Sequence, residues 1–194
     1  MKTIATTLAT IAQFSDDGKK RYLLRKIWNE KLPSLTIIML APSEASGIVL
    51  DTTTQLCLNN ASRLGYGSIT IVNLFATLND FALHQAEEED PENLKAILEA
   101  VRKADQIIYA PGTGKAKNKV FQKRQEQVLK ELAPYEVKLC CLCDDEGKAK
   151  YQHPLSPAVR VWNLCPLKVK ELVKPVPEQD VPQKVTKKTP KTTK

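Results

Sequence analysis

Four short apolar runs limit what this chain can become: LTIIMLA at residues 35–41, SITIV at 68–72, QIIYA at 106–110 and the LCCLC that ends EVKLCCLC at 143. Each is too continuous for a strand with one wet face, and far short of the roughly 20 apolar residues of a membrane helix. They read as strands buried on both sides. Between them the spacing turns helical. TTTQLCLNNASRLGYG starts behind Asp51, a capping residue type, and stops at Gly65. PENLKAILEAVRKA sets Leu94, Ile97, Leu98 and Val101 at i, i+3, i+4 and i+7 behind Pro91, and KNKVFQKRQEQVLKELAPY sets Phe121, Val128, Leu129 and Leu132 on one face. Strands alternating with helices predict an α/β fold, a three-layer domain with a central, mainly parallel sheet. Ahead of the first run, TIATTLATIAQF and RYLLRKIW flank SDDGKK, whose Asp-Gly step is a turn signal, so an N-terminal β-hairpin is expected.

A chain of 194 residues supports one ordinary core with appendages. The domain is expected over 1–167. From residue 168 on, eight Lys face three acidic residues, four Pro fall after Val173, and large apolar side chains are scarce. Such a tail, 168–194, cannot bury enough surface to offset its ordering entropy, and is read as disordered. It holds most of the net charge of +7, so it either attracts nucleic acid through counterion release or simply solubilises. The N-terminus has one early Lys and no convincing cleavage site, which predicts a cytoplasmic protein without a membrane segment. Five cysteines, three of them in CCLC, fit reduced buried thiols better than a disulfide framework.

In a parallel α/β sheet the site lies beyond the carboxyl ends of the strands. That rule selects APSEASG, NLFATLND, APGTGK and DDEGKAKYQHPLSP. Asn73 ends an apolar run where an amide has no packing reason to be. His153 is one of two histidines and opens HPLSP, a loop made rigid by Pro154 and Pro157. The glycines of APGTGK are two apart and Lys115 precedes Ala, so the Walker spacing fails and a plain connection is the better reading. Cys140, Cys143, His153 and Cys165 could be nominated for zinc. Side chains alternate along a strand, so Cys140 and Cys143 would diverge, and no metal is expected. A Cys or Ser nucleophile working with His153 stays open, Ser43 and Ser156 being the serines placed for it, although G-x-S-x-G is absent. Arg21 and Arg25, on one face of the second hairpin strand, are phosphate contacts or solvated charges. For Asp51 the bland role is an N-cap.

RYLLRKIW, IIMLAPSEASG, LDTTTQLCLNNASRLGYGSITIVNLFA and HPLSP together resemble the bacterial and phage domain-of-unknown-function family 1643, in the family order from Phe14 to Pro157. That family usually shows Asn-Pro-Ser where Ala41, Pro42 and Ser43 stand, and Asp-Pro-Thr where Asp51, Thr52 and Thr53 stand. The element order is more distantly similar to the uracil-DNA glycosylase fold. That likeness implies a first loop around Pro42, an Asn that reads a base edge at Asn73, and a His-Pro loop at His153 and Pro154 that stabilises a departing base. The glycosylase loop has an acidic or amide residue before its Pro, and here Leu40 and Ala41 occupy those places. The resulting expectation is a nucleobase or nucleotide pocket with Ser43, Asn73 and Arg21 binding. Asp51 and His153 would be catalytic, on an N-glycosidic bond, with no cofactor. The rival from another class is a non-catalytic module that binds nucleic acid or a protein through the same cleft and the tail.

Overall fold

A computed structural model describes residues 1–43, 47–78, 90–113 and 118–169. The strands are β1 (Ala9–Phe14), β2 (Arg21–Ile27), β3 (Ser34–Met39), β4 (Ser68–Asn73), β5 (Gln106–Tyr109), β6 (Leu139–Cys143) and β7 (Asn163–Pro166), and the helices are α1 (Thr52–Arg63), α2 (Pro91–Lys103) and α3 (Lys119–Leu132). They form one seven-stranded sheet in the order β1-β2-β4-β3-β5-β6-β7. The four expected apolar runs are its centre, β4-β3-β5-β6, paired in parallel. The hairpin β1–β2 adds antiparallel to one side and β7 to the other. The sheet is therefore mixed, with as many antiparallel pairings as parallel ones among the described residues, and not mainly parallel as the sequence predicts. The excess comes from a hairpin that joins the central sheet directly, and from β7, whose four half-exposed residues carry no strand signal.

Helices cover both faces. Ile38, Val72 and Ile107 pack with Ile97 and Val101 of α2 and with Val128, Leu129 and Leu132 of α3. On the other face, Ile37, Ile71 and Ile108 pack with Cys57 and Ala61 of α1 and with Trp162. The continuous apolar runs follow from this: both sides of each central strand lie against a helix layer. The expected Asp51 cap forms, and α2 and α3 are capped in the same way. Asp51 accepts from the Thr54 N–H at 2.7 Å, Asp90 from Asn93 and Asn118 from Phe121, both at 3.0 Å. Gly65, just past α1, sits at φ +85°, a conformation that side chains disfavour.

Two expectations need correction. Cys143 and Cys165 form a disulfide, with Cα atoms 6.2 Å apart, while Cys57, Cys140 and Cys141 are free and buried. Because β7 returns antiparallel beside β6, Cys165 lies opposite Cys141 and diagonal to Cys143, on a strand the sequence did not announce. Cys140 does diverge from Cys143, donating its thiol to the Ile107 carbonyl. Arg21 and Arg25 do not share a surface. Gln13 pairs with Leu23 and Phe14 with Arg21, so Tyr22 is an extra residue that breaks the side-chain alternation. Arg21 turns into the loop after β3, whereas Arg25 lines a groove beside α2. The acidic loop, most of APGTGK beyond Thr113, and the tail from residue 170 lie outside the described residues. No described helix is long and apolar enough to cross a membrane.

Candidate functional site

The chain leaves β3 toward α1 on one face and β5 toward α3 on the other, so their carboxyl ends flank a crevice at the topological switch point. A cleft of about 450 Å³ opens there, lined by Leu40 after β3, Pro111 and Gly112 after β5, and Gln152, His153 and Ser156 from the loop after β6. Gly112, at φ +82°, makes this fit possible: a Cβ there would come within 3.2 Å of the His153 Cβ. The loops after β5 and β6 thus meet in a tight contact at a backbone conformation that side chains disfavour.

His153 Nδ1 accepts the Leu155 backbone N–H at 3.2 Å. The neutral imidazole therefore carries its proton on Nε2, where it can be donated. Burial lowers the His153 pKa below its ordinary value, and the Asp51 carboxylate opposes that shift. His153 is accordingly neutral at pH 7.

Asp51 does more than cap α1. Besides the Thr54 N–H, its carboxylate accepts the Ser43 hydroxyl. The Ser43 carbonyl in turn accepts from Arg21 Nη1 at 3.0 Å. Arg21 is 1% exposed, and burial lowers its pKa to about 10 against the pull of Asp51, so the guanidinium stays charged. Arg21, Ser43 and Asp51 thus form one chain of contacts, with His153 within electrostatic reach of Asp51. Neither Ser43 nor Ser156 gives its hydroxyl to His153, since that of Ser43 is given to Asp51 and that of Ser156 to Gln152 Oε1 at 2.9 Å. Among the described residues no three His, Cys, Asp or Glu side chains gather to hold a metal ion.

Asn73 ends β4 opposite Met39 and is 1% exposed. Its Nδ2 is buried with no hydrogen-bond partner. An unmet buried donor costs about 1–3 kcal/mol, and native proteins keep few of them. By contrast, the backbone around it is firmly held. Asn93 Nδ2 donates to the Asn73 and Leu74 carbonyls at 3.1 and 3.0 Å, and Arg124 Nε donates to the Leu74 carbonyl at 2.8 Å.

The sequence reading missed Asn93, Arg124 and Gln152. Two of them left a trace: Asn93 falls four residues before Ile97, and Arg124 three after Phe121 and four before Val128, so polar groups stand on stripes meant for the core. Gln152 left none.

No curated protein and no solved structure matches the chain. A family match does cover residues 21–155, from the buried Arg21 through the whole central sheet to the loop of His153. The chain belongs to the family described as protein of unknown function (DUF1643).

Proposed function

We propose that the cleft binds a nucleobase, presented by nucleic acid or as a nucleotide, and that Asp51 and His153 support hydrolysis of its N-glycosidic bond. The observation that carries this reading is the Asn73 Nδ2, a buried donor with no acceptor at the carboxyl end of a central strand. Asn73 does not itself line the cleft, so a base would have to reach past Leu40 to it; its carbonyl would then supply that acceptor, and an amide can both donate to and accept from a base edge.

The remaining roles follow from what each group can offer. In hydrolysis the C1′–N bond breaks with its electron pair going to the base, and a water oxygen bonds C1′ while its proton is released. A neutral His153 with its proton on Nε2 suits hydrogen bonding to the negative charge growing on the departing base. Asp51 would face the positive sugar or orient the water, with Ser43 holding its carboxylate in place. Arg21, buried and charged, would be the cation facing that carboxylate.

A second reading has its own support. Leu40 and Ala41 put apolar groups where the glycosylase likeness calls for a polar one, and Asp51 already accepts two hydrogen bonds. On that reading the cleft binds nucleic acid or a protein partner without chemistry, assisted by the basic tail.

A base-release assay on single- and double-stranded DNA carrying uracil and other modified bases separates the two. Wild-type release that is lost in an Asn73→Ala, His153→Ala double variant supports hydrolysis. No release, with DNA binding weakened in the double variant, supports a non-catalytic reader. If release is absent and both proteins bind DNA equally, the cleft has no part in nucleic-acid recognition and the proposal fails.

A further inference from the structure

Toward the amino ends of the parallel strands, beside α2, lies a second groove of about 200 Å³. Its floor crosses the sheet through Thr36 of β3, Thr70 of β4 and Arg25 of β2, and its wall is α2. Alanines at 96, 100 and 104 recur every fourth residue of that wall, so the helix presents small side chains where larger ones would fill the space. Thr36 is already engaged, donating its hydroxyl to the Ala100 carbonyl at 3.1 Å.

Arg25 is not so provided for. Its Nε is buried and has no acceptor. Glu99 and Lys103 line the same groove, yet among the described residues none of the three takes part in an ion pair. A buried guanidinium donor without an acceptor is costly in a finished fold, and a groove with open volume beside it can admit the missing partner.

We infer that this groove binds a small aliphatic monocarboxylic acid, its carboxylate on Arg25 and its short chain against Ala96 and Ala100. A carboxylate offers two coplanar oxygens that match the guanidinium fork. Arg25 and Lys103 against Glu99 leave one net positive charge, which suits a monoanion and disfavours a phosphate dianion. The three alanines of the wall favour a hydrocarbon body on that side, and the volume of about 200 Å³ admits a short chain.

The test is titration of the full chain, followed by two-dimensional NMR, with butyrate, its uncharged isostere butyramide, and inorganic phosphate. Butyrate is expected to shift amides of β2 and α2, with butyramide and phosphate each at least tenfold weaker. Arg25→Gln should weaken butyrate at least tenfold. Ala96→Leu, which fills the groove and keeps the guanidinium, should do the same. The inference is overturned by no response to butyrate, by equal responses to butyrate and butyramide, by phosphate binding as tightly as butyrate, or by undiminished binding in both variants.

Discussion

Asn73 holds two opposed demands in one side chain. Its buried Nδ2 lacks a partner, so the fold carries a donor it would be better without. Asn73→Leu, close in volume and apolar, removes that donor. The expected outcome is a protein more stable by about 1 kcal/mol, read by urea unfolding, that no longer binds its ligand. A destabilised Asn73→Leu protein would mean that the amide has a structural duty instead. His153 makes a second demand visible. Burial holds its folded pKa below the ordinary 6.5, so the folded state binds fewer protons than the unfolded chain as pH falls through 6.5. Stability from this group is complete above that pH and declines beneath it. Unfolding curves from pH 7.5 to 5 should therefore fall more steeply for the wild type than for His153→Gln.

At the scale of elements, three connections meet: β2 through Arg21, the β3–α1 loop through Ser43 and Asp51, and the loop after β6 through His153. Asp51→Asn keeps an oxygen for the Thr54 N–H, so the α1 cap survives while the charge facing Arg21 is lost. A double-mutant cycle with Arg21→Met should give a stability coupling of about 0.5–3 kcal/mol, and strict additivity would show that the two do not act together. Much of this level was legible beforehand. The four strands and three helices followed from apolar continuity and helical spacing, the places of Asn73 and His153 beyond strand ends from the rule for parallel sheets, and the Asp51 cap from its position before α1. What was not legible has physical causes. The extra residue Tyr22 redirects Arg21, and a bulge leaves no mark in composition. Half-exposed β7 has no apolar pattern to read, which also hid the pairing of Cys143 with Cys165. Arg124, fully buried on α3, contradicts the rule that charges face water because the Leu74 carbonyl and Gln127 receive its hydrogen bonds.

Over the whole molecule, the side of the sheet beyond β6 is the one with a covalent tie. The disulfide joins residues at a sequence separation of 22 and closes a segment that includes His153. By loop-closure entropy such a tie contributes about 3 kcal/mol. Thermal melts should show a clear fall in Tm on full reduction, and Cys165→Ser should match the reduced protein. An unchanged melt would mean that the segment is fixed by its other contacts, among them Asn60, whose amide bonds the Arg160 carbonyl and the Trp162 N–H. Asn60 sits on α1, so the helix capped by Asp51 at one end also anchors the return of the chain to β7.

The close approach of Gly112 to His153 bears on how a mutational scan of this protein will read. Any substitution at 112 is strained by the φ of +82° and presses its Cβ on the His153 Cβ, although Gly112 has no side chain with which to touch a ligand. Position 112 will therefore score as intolerant as a residue that does chemistry, and it will do so in activity screens more than in abundance screens.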